Sequence, residues 1–205
     1  MKIAVYGASG QVGSRVVAEA VQRGHDVTAL NRQETPAPPG ATSVVGNAAD
    51  VDGVRDVAAA HDVVVSAVGP SRVPGDDPEA FVGIVRGLTT AVGSTRLVVV
   101  GGSGSLLAPS GVQLIDTPDF PEEFKAEGRA QVHALGVLRE AGPELDWTYV
   151  SPAPIVEDGD RTGAYVAGLD EPAGLRLTFA DWAVALLDEI DKPVHQRQRF
   201  TVATA

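Results

Sequence analysis

The stretch Lys2–Gly13 constrains the fold most: a short apolar run ends in three glycines spaced three apart, and a helical pattern starts there. Lys2-Ile3-Ala4-Val5 reads as a buried strand. Val12, Val16, Val17, Ala20 and Val21 recur on one helical face, and Gly24 ends the helix. A strand that turns through glycines into a helix leaves the first helical N–H groups unpaired. The positive end of the helix dipole then points at whatever sits over the turn. Gly7 suits the tight turn, Gly10 lets backbone approach a pyrophosphate, and Gly13 lets helix pack closely on strand. The spacing therefore predicts a dinucleotide site in which Gly7, Ser9, Gly10, Gln11, Val12 and Gly13 surround the phosphates.

Strands and helices then alternate for about 150 residues, the pattern of a parallel sheet covered on both faces. Thr42–Val45 follows a proline-rich loop (Pro36, Pro38, Pro39) as the third strand, and Val51–Ala60 as a short helix. Asp62–Ser66 and Leu97–Val100 are continuous apolar runs, expected for central strands. Between them a helix is predicted with Asp77 as N-cap and Pro78 at its first position, burying Phe81, Ile84, Val85 and Leu88. Another helix is predicted from Pro121 to Ala141, leading into a strand at Trp147–Val150. The expected fold is α/β: a Rossmann-type, doubly wound sheet of six parallel strands. Residues 1–205 are expected to form one NAD(P)-binding domain, with about residues 151–205 contributing a small substrate-side cover. In that cover, strands are expected near Gly163–Ala167 and Arg176–Phe179. Asp181 should cap a helix at Trp182–Ile190, and Arg199-Phe200-Thr201-Val202 should form a final edge strand.

The chain of 205 residues carries a net charge of −11, which argues against a nucleic-acid partner or an anionic membrane surface. It has no cysteine, hence neither disulfide nor thiolate metal site, and no His/Asp/Glu cluster with metal-ligand spacing. No apolar run approaches the roughly 20 residues that span a bilayer, and no signal peptide precedes the first strand. A cytoplasmic protein, monomeric or homodimeric, is the expectation.

The glycine spacing is G-x-x-G-x-x-G, not the G-x-G-x-x-G of the dehydrogenase type. Beginning Gly7-Ala8-Ser9-Gly10, it resembles the atypical and extended short-chain dehydrogenase/reductases, including the NmrA-like group. Gly24-His25-Asp26-Val27-Thr28-Ala29-Leu30 continues the resemblance through the turn and second strand. Asn31-Arg32 falls where that strand ends. A carboxylate here would hold the adenosine ribose and select NAD, whereas an arginine suits a 2′-phosphate. Arg32 thus favours NADP(H) over NAD(H), unless it is only a solvated loop residue. Asp116–Pro121, Asp146–Pro152, Gly159–Gly163, Asp181-Trp182-Ala183 and the ending His195-x-x-x-Arg199-Phe200-Thr201-Val202 resemble a subgroup of candidate NADH-flavin reductases. That resemblance spans the whole chain.

In open parallel sheets ligands bind at the carboxyl ends of the strands. Gly46-Asn47 matches the position where similar proteins carry Gly-Asp beside the adenine; Asn47 binds there or serves as a turn residue. Ser66, Ala67, Val68 and Gly69 should run beneath ribose and nicotinamide, though small side chains fit tight packing equally. Gly101 ends the fifth strand. Ser103 follows where short-chain dehydrogenases place a substrate-orienting Ser or Thr.

Those enzymes draw a proton from a Tyr-x-x-x-Lys pair, and this chain has none: its tyrosines are Tyr6, Tyr149 and Tyr165. Glu127 and Gln131 stand where the pair is expected. His25 sits in a helix–strand turn, His61 ends a short helix and His195 lies in a polar segment, which leaves His133 as the second catalytic candidate beside Ser103. Without the pair, the fitting acceptor is flat and conjugated (a flavin used as substrate, a quinone or an aromatic biosynthetic intermediate). Flavin N5 takes hydride directly, and N1 can be protonated by water. Two alternatives stay open: a pathway-specific ketoreductase or dehydratase using Ser103, and a non-catalytic NADP(H) sensor acting through a protein partner.

Overall fold

Period-two alternation sets the layering. In β1 (Lys2–Tyr6), Ile3 and Val5 enter one core and Ala4 and Tyr6 the other, so both faces of the strand are buried. The first core lies under α1 (Gln11–Gln22) and α5 (Phe179–Asp191). The second lies under α2 (Val51–Ala60), α3 (Ala80–Ala91) and α4 (Lys125–Glu140). A computed structural model describes every residue except Arg72 and Pro74.

Its sheet adds β2 (Asp26–Asn31), β3 (Ala41–Val45), β4 (Val63–Ser66), β5 (Arg96–Val100), β6 (Trp147–Pro152), β8 (Tyr165–Gly168) and β10 (Gln198–Thr204), in the order β3-β2-β1-β4-β5-β6-β10-β8. Every pairing is parallel except that of β10 with β8. Strands β7 (Ile155–Glu157) and β9 (Arg176–Thr178) form a separate parallel pair. This is the expected Rossmann-type, doubly wound sheet, with eight strands in place of six.

The structure corrects several local expectations. The last strand is not an edge strand: β10 lies between β6 and β8. Its alternating Arg199 and Thr201 look solvent-facing in sequence yet are 4% and 0% exposed, because Asp170 and Ser105 take the guanidinium. Asp181 does not cap α5. Thr178 does, its Oγ1 accepting from the Asp181 N–H at 3.0 Å. The Asp181 carboxylate instead accepts from the Thr162 and Gly163 N–H groups and from Thr162 Oγ1, pinning that loop. Regular helix α3 begins at Ala80; Asp77 caps the preceding turn by accepting from Glu79 N–H. Before α4, Glu122–Phe124 form a 3-10 turn.

Residues after β6 also complete the first core. Helix α5 packs on α1 with Trp182, Leu186 and Ile190 buried. Arg23 ties the end of α1 to Glu19, Asp188 and Asp191, and Arg161 reaches back to Glu19. Among the described residues no helix is long and apolar enough to cross a membrane.

Candidate functional site

The carboxyl ends of β1, β2 and β4 hold the glycine loop so tightly that its free donors can be named. Gly7 and Ala8 donate to Leu30 O, Ser9 to Asn31 Oδ1 at 2.9 Å, Gly10 to Gly7 O, and Ser14 to Gly10 O. The N–H groups of Gln11, Val12 and Gly13 remain without a partner among the described residues. Gly10, the N-cap of α1, has no side chain to cap them. Three converging N–H groups at a helix N-terminus suit an anion, so the residues present fit a nucleotide pyrophosphate.

The glycines have separate causes. Gly7 sits at φ +75°, and a Cβ there would lie 2.8 Å from Ala67 O, which keeps the exit of β4 against the loop. A Cβ on Gly13 would stand 2.1 Å from Gly7 O, whereas one on Gly10 would meet only Gly7 O at 3.3 Å. Gly10 thus faces the open side.

Two cofactor-binding candidates already use one polar group each to hold the loop. Ser9 has no backbone N–H to spare, which leaves its exposed hydroxyl. Asn31, 8% exposed, turns its oxygen onto Ser9, so its amide oxygen anchors the loop. Arg32 beside it is exposed and forms no hydrogen bond or ion pair with a described residue. Asn47 closes a turn, accepting from Ala49 N–H at 3.1 Å through Oδ1 and from Asp50 N–H through its carbonyl. Val12, Ala67 and Val68 are half-buried and Gly69 is exposed, with open space where its Cβ would be. Ser66 is fully buried, with an unpartnered Oγ. Gly101 is small for a packing reason: a Cβ would lie 2.1 Å from the Tyr149 ring.

Beyond β5, Ser103 is half-buried, and its hydroxyl makes no hydrogen bond to a described residue. Tyr149 is buried against the preceding Gly101 and Gly102. Its Oη accepts from Gly102 N–H at 3.1 Å and donates toward the Oε1 and carbonyl of Gln131. Burial pushes the Tyr149 phenol well above its ordinary value. Burial, with Asp50 nearby, takes Tyr6 up to about 12. Burial and a hydrogen bond to Asp188 do the same for Tyr165, again to about 12. Lys125 pairs with Glu122.

His133 lies on the exposed face of α4, its Nδ1 2.9 Å from Glu79 Oε1, lining an open groove with Arg86 and Arg139. No hydrogen bond joins it to Ser103. The other histidines hold structure: His61 bridges Val57 and Thr28, His25 meets Asp191, and His195 meets Glu189 while stacking on Phe200. Among the described residues no group of His, Asp and Glu could hold a metal ion. Sequence reasoning missed the roles of Tyr149 and Gln131 at Gly102, and of Arg199 and Asp170 at Ser105. The available signal was a charged residue inside an otherwise apolar strand.

A Rossmann sheet with an open anion cradle defines a nucleotide-binding protein, and comparison with known proteins makes the class specific. Residues 7–193 match the NAD(P)H-binding family, and the chain belongs to it. The resemblance to the NmrA-like, atypical short-chain dehydrogenase/reductases agrees with that assignment. The Bacillus subtilis (strain 168) protein YwnB, itself uncharacterized, is 34% identical over all of this chain and 99% of its own. A solved structure from Streptococcus pneumoniae TIGR4, described as a candidate NADH-flavin reductase, is also 34% identical; it superposes with a TM-score of 0.91 over the whole of both chains. Another, from Bacteroides thetaiotaomicron and described as a candidate epimerase, is 32% identical with a TM-score of 0.85, over 99% of this chain and 96% of that one.

Proposed function

We propose that this protein is an NADP(H)-dependent oxidoreductase that passes hydride to a flat, conjugated acceptor (a flavin, a quinone or an aromatic biosynthetic intermediate) with no tyrosine acid. One observation carries the reading: an intact cofactor cradle stands in a chain whose three tyrosines are buried (Tyr6, Tyr149) or half-buried (Tyr165), raised in pKa and bonded elsewhere or uncoupled from any lysine. A tyrosine acid needs a neighbouring ammonium to lower its pKa, and here each phenol is shifted the other way.

When bound, the nucleotide supplies a hydride at its nicotinamide. The chain's own residues do the rest. Gln11, Val12 and Gly13 present N–H donors to the pyrophosphate, and Asn31 keeps the loop in place. Arg32 offers an unengaged cation to a 2′-phosphate. Ser103 offers one hydroxyl to orient nicotinamide or acceptor. The flavin-reductase description of the streptococcal relative supports a flavin among the acceptors, and the absence of a Tyr-Lys pair argues against the epimerase description. The test is NADPH and NADH oxidation by purified protein with a panel of flavins and quinones. Turnover with NADPH ahead of NADH is expected. Nucleotide binding without turnover on any acceptor would refute the enzyme reading and leave a nucleotide sensor.

A further inference from the structure

We propose that Arg199, from the far end of the chain, is a positioning residue of the candidate active site: it holds the turn that carries Ser103. The inference rests on the role assigned to Ser103 above. Arg199 lies on β10, between β6 and the edge strand β8, as register partner of Tyr149, with a side chain only 2% exposed. Its Nη1 donates to Ser105 Oγ at 3.1 Å. Its Nε and Nη2 both donate to Asp170, which is 56% exposed in the segment after β8. The Asp170 carbonyl accepts from Leu107 N–H at 2.8 Å. The segment Ser105–Leu107 is therefore gripped twice, through a side chain and through the backbone.

The other flank of Ser103 is fixed by Tyr149, whose Oη accepts from Gly102 N–H. Leu106 N–H donates to Ser103 O and closes the turn. Ser103 thus sits between two anchored neighbours while its own hydroxyl stays free. A buried guanidinium is costly, and an apolar side chain could have filled the same space. Its fork instead meets one hydroxyl on the Ser103 turn and one carboxylate on the C-terminal segment. The motif Arg199-Phe200-Thr201-Val202 acquires a task in this way: tying the last strand of the sheet to the loop after β5.

The test uses the full chain and two independent variants. Arg199→Met keeps the volume and deletes the fork; Asp170→Asn weakens the grip from an exposed position that folding tolerates. Amide exchange of peptides covering 101–107 should quicken in both variants, with residues 7–13 unchanged. Turnover with NADPH and the best acceptor should fall by no more than Ser103→Ala costs, roughly 2- to 13-fold, with NADPH Kd within about twofold of wild type. In a Ser103→Ala background, Arg199→Met should add less than about twofold, because its effect runs through Ser103. Unchanged exchange at 101–107 in both variants overturns the proposal. So does a loss that persists in full without Ser103, or NADPH affinity that falls in parallel. If wild type turns over no acceptor, the proposed function fails instead, and the exchange result alone decides the role of Arg199.

Discussion

The glycine pattern gives Gly10 and Gly13 different tasks, and the structure predicts different consequences for stability when each is replaced. A methyl at Gly13 would lie 2.1 Å from Gly7 O, 2.9 Å from Gly7 C and 3.1 Å from Ala8 Cα, all backbone atoms. Carbon contacts are comfortable near about 3.5–4.0 Å, so loop and helix must part by about 1 Å or more. Overpacking of this kind costs roughly 1–3 kcal/mol, against less than about 1 kcal/mol gained from alanine's helix propensity. With a net loss of about 1–2 kcal/mol, and each kcal/mol moving Tm by about 2–4 °C for a domain of this size, Gly13→Ala should melt about 2–8 °C lower. It should also lose nucleotide, because parting the loop breaks Gly10 N–H to Gly7 O and displaces the cradle.

At Gly10 the backbone is extended (φ −71°, ψ 171°), and a Cβ meets only Gly7 O at 3.3 Å. Gly10→Val should stay folded, losing about 1 kcal/mol or less from poorer capping. Its methyl groups stand on the open side beside the N–H groups of residues 11–13, and nucleotide binding should vanish. Thermal melts with and without NADPH, plus a fluorescence titration, separate the two cases. A folded Gly10→Val that binds NADPH normally would refute the assignment of the cradle, and an unshifted melt for Gly13→Ala would refute the close contact.

Arg32→Ala should lose roughly 10- to 150-fold in NADPH affinity while NADH binding barely changes. Equal losses in the two titrations would show that Arg32 does not read the phosphate. Ser103→Ala should slow turnover roughly 2- to 13-fold, the value of one orienting hydrogen bond. Loss of a true general acid costs about 100- to 10,000-fold, so a thousandfold collapse at Ser103, His133, Lys125 or Tyr149, with cofactor affinity intact, would identify a proton donor and sink the mechanism. Glu19 is held below the ordinary carboxylate value by the hydrogen bond from Arg161 and then by Arg23, against the cost of burial. Its contribution is therefore present at neutral pH and lost as pH falls through the depressed value. The Tm gap between wild type and Glu19→Gln should be full at pH 7 and begin to close below the ordinary 4.5; a gap constant down to strongly acidic pH would count against the ion pair.

What the sequence discloses follows the range of the interaction. The glycine turn, the face of α1 and the buried central strands rest on residues a few positions apart, and their spacing is readable. Arg199 is different: its placement inside the sheet depends on Ser105 and Asp170, 94 and 29 residues away, so a polar alternation that is internally neutralised resembles an exposed edge. Asn31 shows the same effect on a smaller scale. Its position at the end of β2 suggests a ligand contact, yet its oxygen is taken by a backbone N–H 22 residues earlier. His133 looks available until Glu79, in the turn just before α3, is placed against it. Thr178 and Asp181 are both good caps by composition, and only the loop at Thr162 decides which one caps the helix.

The N–H groups of residues 7–10 already have partners, three of them on β2, so the glycine loop is held in shape without a nucleotide. Association then carries little of the ordering penalty that flexible loops pay on binding, and the affinity reflects the contacts themselves. Ligand-induced stabilisation should accordingly follow simple mass action, about 2.7 kcal/mol at a nucleotide concentration 100 times Kd, with no added contribution from loop folding.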